Sequence, residues 1–179
     1  MKEVNIYLWC NKKQIPEYFD FYVEKLKCKF DIICWHKSNA LPTYSNKYLS
    51  DTEYCLYFRK GRGKCFPENY DDAKTFYVEP INATDKKLYG HPTIKPLHMI
   101  EALVKNSSRE GDVVLDPFMG SGTTGVACRM HNRDFIGMEI NKDFFDTAQK
   151  RIESASLEKD LAQEGSDPVV KEPEQYSLL

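Results

Sequence analysis

Val113-Val114-Leu115-Asp116-Pro117-Phe118-Met119-Gly120-Ser121-Gly122-Thr123-Thr124 decides how this chain is read. A short apolar run ends in Asp-Pro-Phe, a Gly-x-Gly turn follows, and a helical pattern begins. This order predicts a strand feeding a tight turn where the backbone approaches a ligand closely, because glycine has no Cβ to block the approach. Nineteen residues after Gly120, a second apolar run, Phe135-Ile136-Gly137-Met138, delivers Glu139. An acid at that spacing past a glycine turn is placed to accept hydrogen bonds from ribose hydroxyls. The unit predicts a site for a nucleoside cofactor.

Gly120, Gly122 and Gly125 also satisfy G-x-G-x-x-G, the dinucleotide pattern. In that fingerprint the first glycine follows the strand almost directly and a helix N-terminus meets a pyrophosphate. Here four residues intervene, and Pro117 cannot donate to a sheet ladder, so the strand stops early. The Asp116 carboxylate is unwelcome beside a pyrophosphate but suits a ligand ammonium. Upstream, His91-Pro92-Thr93-Ile94-Lys95-Pro96 is an extended segment stiffened by two prolines. It presents a hydroxyl and a cation, Thr93 and Lys95, to hold a carboxylate. An ammonium-binding acid, a carboxylate-binding Thr/Lys pair and a ribose-binding Glu together describe S-adenosylmethionine.

H-P-T-x-K-P, then D-P-F-x-G-S-G-T-T, then G-x-E-x-N resembles the permuted β class of DNA amino-methyltransferases, over roughly residues 4–153. The family methylates the exocyclic amine of adenine (N6) or cytosine (N4) in DNA, often within restriction-modification systems. The resemblance implies a Rossmann-like S-adenosylmethionine-dependent methyltransferase fold. It implies that Thr93 and Lys95, beside His91, hold the methionine carboxylate. Asp116, Phe118, Gly120, Ser121, Gly122 and Thr123 would surround the methionine and sugar. Glu139 would bind the ribose, and Asn141 would border the adenine.

The family also carries a catalytic tetrapeptide, Asp/Asn/Ser-Pro-Pro-aromatic. It accepts hydrogen bonds from the target amine, a poor nucleophile, and stacks on the flipped base. Nowhere in this chain do two of its nine prolines stand together, so no catalytic residue is assigned. In the permuted order that motif and its strand precede the segment resembling Val4–Trp9, and a further strand before it is missing too. The absent strand belongs between 113–115 and 4–9, and its absence leaves two unpaired edges inside the fold. The gap is expected to be filled by a second polypeptide, by self-association, or by direct pairing of 113–115 with 4–9.

Length and composition bound the rest. One chain of 179 residues with 41% apolar and 29% charged residues suits a single globular domain. No apolar stretch reaches membrane-spanning length and no signal-peptide pattern opens the chain, so a cytoplasmic setting is expected. Six cysteines without a C-x-x-C pair and four scattered histidines predict reduced thiols and no metal site. Residues 1–156 read as a partial methyltransferase domain with a basic loop at 59–64 and a short insertion at 65–90. Residues 157–179 read as an acidic tail, flexible from Gly165 on. The expected elements are strands at 4–9, 30–35, 53–59, 75–79, 113–115 and 135–140. Helices are expected from Pro16, over 97–105, over 123–130 and after Asn141 as cap. Together they predict a doubly wound α/β sheet lacking its central catalytic strand and one further strand.

Net charge is only −2, but residues 154–179 hold six acids against two lysines, so the body carries a slight positive excess. Candidates for DNA contact are Lys37, in a segment resembling the family's W-x-K-x-N, and Arg59, Lys60, Arg62 and Lys64 in a glycine-rich loop. A solvated hairpin loop explains the latter cluster equally well. Trp9 and Trp35 read as core. Two functions follow: the cofactor-binding part of a DNA amino-methyltransferase that is truncated or completed by a partner, or an inactive member that binds cofactor, DNA or partner. A nicotinamide-dependent oxidoreductase is the distant third.

Overall fold

A computed structural model describes residues 3–42, 47–63, 65–81 and 83–164, with side chains described to residue 156. Six strands and five α-helices follow one another. They are β1 (Val4–Cys10), α1 (Ile15–Phe19), β2 (Lys29–Lys37), β3 (Thr52–Lys60), β4 (Phe76–Glu79) and α2 (Ala83–Tyr89), then α3 (Leu97–Ser107), β5 (Val113–Asp116), α4 (Thr123–Met130), β6 (Asp134–Gly137) and α5 (Lys142–Glu164). Pro16 sits in the first turn of α1, and the helix widens into a π-helical segment over Asp20–Lys25.

Four strands form one sheet in the order β1-β3-β2-β4; β3 runs antiparallel to both its neighbours, and β4 runs parallel to β2. Side chains alternate across it with period two. Tyr7, Trp9, Ile33, Trp35, Cys55, Tyr57 and Tyr77 join a core with α3 and α4, through Met99, Leu103, Ala127 and Cys128. The opposite set, Ile6, Leu8, Phe30, Ile32, Leu56 and Phe58, packs on Tyr18, Tyr22, Val23 and Leu26 of the first helical segment. Both faces of β1, β2 and β3 are covered, which is why these strands read as almost unbroken apolar runs.

β5 and β6 form a separate parallel pair, Val113 opposite Asp134 through Asp116 opposite Gly137. The expected doubly wound sheet is thus divided in two. Direct pairing of 113–115 with 4–9 does not form: β1 pairs with β3 and β5 with β6. The two sheets are tied instead through the end of α3, where Asn5 Nδ2 donates to the Ser107 carbonyl at 3.2 Å and the Tyr7 and Ser107 hydroxyls bond. One face of the pair carries Val114 and Phe135 into the core with α3 and α4. The other face is bare. Val113, Leu115 and Ile136 are more than half exposed, and Phe118, Met138 and Ile140 continue the apolar surface beyond the strand ends.

Two further departures from expectation have local causes. β6 stops at Gly137 rather than 140, because Pro117 has already turned the partner chain out of the ladder; Met138 still donates to Asp116 O at 2.9 Å. α5 runs to Glu164, so 157–164, expected in the tail, are helical; the tail expected from Gly165 lies outside the described residues. Asn141 caps α5 as anticipated, its Oδ1 accepting from the backbone N–H of Asp143 at 2.9 Å and Phe144 at 3.2 Å. Among the described residues no helix is long and apolar enough to cross a membrane.

Candidate cofactor-binding site

The site is built at the carboxyl ends of β5 and β6. Asp116 closes β5, and both its carboxylate oxygens are engaged. Oδ1 accepts from Phe118 N–H at 3.1 Å, and Oδ2 accepts from the Thr124 hydroxyl at 2.7 Å. The turn then passes through Gly120 and Gly122 with φ of +54° and +80°, the left-handed region that favours glycine. Gly122 leads into α4, where Thr123 is buried. Glu139 holds this turn from β6: Oε2 accepts from Gly120 N–H at 3.0 Å, and Oε1 accepts from Asn141 N–H at 2.9 Å. Each Glu139 oxygen keeps acceptor capacity for a further donor.

The proline-stiffened segment 91–95 is laid against this turn. A Cβ on Gly120 would stand 2.8 Å from His91 Nε2, so glycine is required there by space as well as by φ. The His91 ring meets Phe144 of α5 edge-on, with centroids 4.5 Å apart. Burial holds its imidazole below the ordinary value; Glu139 acts against that shift and Lys95 with it. Nδ1 of His91 accepts from Thr93 N–H at 3.3 Å, and the Thr93 side chain is exposed. At the end of the segment Lys95 reaches Glu53 Oε2 at 2.8 Å and lies 5.1 Å over the Trp9 ring. The segment therefore runs from the glycine turn to the carboxyl ends of β1 and β2. His91, Gly120, Glu139 and Asn141 are brought together directly, with Asp116 at the strand end before them. Phe118 projects into solvent, 85% exposed, and Ser121 is buried with its carbonyl accepting from Arg151 at 3.2 Å.

Comparison with known proteins decides what this arrangement belongs to. A family model described as DNA methylase, of N6 and N4 methyltransferases, matches residues 2–150. The chain belongs to that family. It is 37% identical over 134 residues to the Type II methyltransferase M2.DpnII of Streptococcus pneumoniae, covering 68% of this chain and 50% of that protein. A similar match, 36% over 132 residues, is found to M2.LlaDCHI of Lactococcus lactis subsp. cremoris, covering 67% of this chain and 49% of that protein. The chain thus spans about half the length of the curated relatives it matches. Among solved structures, that of the M1.HpyAVI–SAM complex superposes with a TM-score of 0.73 at 33% identity, over 85% of this chain and 76% of that one. The PvuII cytosine-N4-specific DNA methyltransferase, at 14% identity and a TM-score of 0.65 over 92% of this chain and 71% of that one, shares the fold. The fold is that of S-adenosylmethionine-dependent methyltransferases, Rossmann-like.

Within this DNA methylase frame the candidate DNA contacts separate. Lys37 ends β2 beside Glu53, at the same edge as Lys95. Arg59 and Lys60 end β3, paired with Asn5 and Val4 at the start of β1, and Arg62 follows them. Seven residues of strand separate Lys60 from Glu53, on the order of 20 Å. The basic loop therefore lies at the opposite end of the sheet from the candidate site, and Lys64 is outside the described residues. Trp35 is 2% exposed and donates from Nε1 to Glu79 O at 2.9 Å, a core residue as read; Trp9 is half-buried against the same core.

Sequence reasoning missed three supporting residues. Thr124 stands within the quoted motif, and only its bond to Asp116 distinguishes it from Thr123. Glu53 stood in a segment read for its strand pattern alone. Arg151 of α5 reaches back to the glycine turn, donating to Thr123 Oγ1 at 3.0 Å, and stacks 4.3 Å over the Tyr89 ring. Its signal was too distant in sequence to be found.

Proposed function

We propose that this chain is the S-adenosylmethionine-binding part of a DNA methyltransferase acting on the exocyclic amine of adenine or cytosine, completed by a further polypeptide or by self-association. The observation that carries the cofactor reading is the packing of 91–95 on the Gly120 turn. It sets the Thr93/Lys95 pair and the Asp116/Glu139 pair along one edge, as a zwitterionic amino acid joined to a ribose requires. The residues fit that ligand. Asp116 is a fixed acceptor for its ammonium, Lys95 a half-buried cation for its carboxylate, and Glu139 an acceptor for ribose hydroxyls. Gly120 and Gly122 supply the left-handed turn that carries the site, and Ser121, Thr123, Phe118, His91 and Asn141 shape the surroundings.

When bound, the cofactor supplies an electrophilic methyl on a sulfonium. The chain's own residues bind and orient it, and Lys37 faces the nucleic-acid side. No Pro-Pro pair exists in this chain, so none of its residues is assigned to activating the target amine. Residues 1–156 are proposed as the methyltransferase unit. Completion is supported by the bare apolar face of β5 and β6, since parallel strands are rarely left uncovered.

Two measurements test this. Calorimetric titration with S-adenosylmethionine, with NAD as control, is expected to show saturable binding of the methyl donor that Asp116→Ala weakens by at least about tenfold. Binding of NAD alone sinks the cofactor reading. Light scattering and co-purification with the polypeptide encoded beside this chain test completion. A chain that stays monomeric, binds no neighbour and methylates no DNA favours the non-catalytic member instead.

A further inference from the structure

Glu53 opens β3 and is shared by two lysines. Its Oε1 lies 2.7 Å from Lys37 Nζ and its Oε2 lies 2.8 Å from Lys95 Nζ. The three side chains are 28%, 17% and 18% exposed, so solvent screens them only in part. The floor beneath is aromatic. Lys37 stands 5.3 Å over the Trp35 ring, and Lys95 stands 5.1 Å over Trp9 and 5.9 Å over Trp35. Burial works to raise the Glu53 carboxyl, yet Lys95 and Lys37 together hold it below its ordinary value.

This geometry does more than neutralise charge. Each lysine gives one N–H to a different oxygen of one carboxylate, and each ammonium has three to give. Lys95 therefore keeps donors for a second anion while its position stays fixed. Without the bridge, two like charges would face each other across an indole floor. One lysine would then have to swing outward into water, and neither would present a fixed donor.

We propose that Glu53 is a positioning residue for the carboxylate subsite, holding Lys95 in place against the charge of Lys37. The proposal rests on the reading of Lys95 given above. It also ties Lys95 to Lys37, the residue proposed to face nucleic acid, through one shared carboxylate.

The test uses the whole chain as Glu53→Gln, Lys37→Met and the double variant. Each is titrated with S-adenosylmethionine and with 5′-methylthioadenosine, which keeps the nucleoside and thioether but lacks the amino-acid carboxylate. Glu53→Gln is expected to weaken the first ligand by about tenfold and the second by less than about twofold, as loss of one charge-assisted contact implies. Adding Lys37→Met to Glu53→Gln should restore most of that loss, because the repulsion is gone. Unfolding midpoints without ligand should follow the same pattern, a fall of a few degrees that is partly recovered in the double variant. Equal weakening of both ligands, or a double variant no better than Glu53→Gln, overturns the proposal. If the unchanged chain binds neither ligand, the cofactor reading fails with it. Recovery of the ligand-free midpoint would then show that the carboxylate bridge itself was correctly described.

Discussion

The four-stranded sheet and the β5–β6 pair are built from similar apolar strands but end in opposite conditions. In the first, β1, β3 and β2 are packed on both faces, and Leu56, Phe58 and Cys55 have no exposure at all, while β4 leaves Phe76 and Val78 more than half exposed. In the second, alternate residues of each strand are covered, while Val113, Leu115 and Ile136 face outward. Asp116, Gly120 and Glu139 of the proposed cofactor site stand at the ends of the second, whereas Lys95 reaches the edge of the first. The closed half supplies stability and the edge that carries Lys37 and Glu53, and the open half supplies the glycine turn.

The largest expected effect lies in the closed half. Phe58 is fully buried and stacks on Tyr22 at 4.5 Å and on Phe30 at 5.2 Å. Phe58→Ala should cost about 3–5 kcal/mol in urea unfolding. A much smaller loss would mean the first helical segment rests loosely on the sheet, and the contrast between halves would fail.

Gly120→Ala comes next. Its φ of +54° and the 2.8 Å approach of His91 Nε2 both oppose a methyl group. About 1–2 kcal/mol of stability should be lost from the backbone conformation alone. Affinity for the methyl donor should fall further than that of a variant on the far side of α4, measured by the same calorimetry. Equal behaviour of the two variants would show that the turn is structural only.

Most of the elements were legible because they are strongly patterned. The strand at 4–10 and the helices at 97–107 and 123–130 carry clear apolar patterns. Pairing was not legible. Nothing in Val4–Trp9 or Val113–Leu115 states which neighbour each will find, and direct pairing between them, one of three alternatives, is absent. α2 was missed because seven residues, Ala83–Tyr89, hold too short a pattern within what read as an insertion. At the site, Asp116, Gly120 and Glu139 announce themselves by motif, whereas Glu53 and Arg151 act through contacts 42 and 28–30 residues away. The separation of Arg59 and Lys60 from the site followed only from the antiparallel register of β3.

The bare face gives a smaller effect on the chain alone and a larger one on assembly. Leu115→Ser should change the stability of the separate chain by no more than about 0.5 kcal/mol, as for other surface positions. Its affinity for the completing polypeptide should fall at least about tenfold, since an apolar residue at the centre of a covered face contributes strongly. A loss of several kcal/mol in the separate chain would mean that this face is already buried by self-association.

The smallest effect concerns pH and distinguishes the two halves by which group titrates. Burial against Phe144 and the glycine turn holds the His91 imidazole below its ordinary 6.5, so the unfolded chain takes up that proton first. The His91 contribution is therefore complete above about 6.5 and declines as pH falls from there toward the folded value. Glu53, at the edge of the closed sheet, is held below its ordinary 4.5, and its contribution is lost only at lower pH, as its folded value is passed. Stability measured from pH 7.5 to 3 should then fall in two stages. His91→Gln is expected to flatten the first and leave the second, and Glu53→Gln the reverse. A first stage that survives His91→Gln would place the titrating group elsewhere than beside the Gly120 turn.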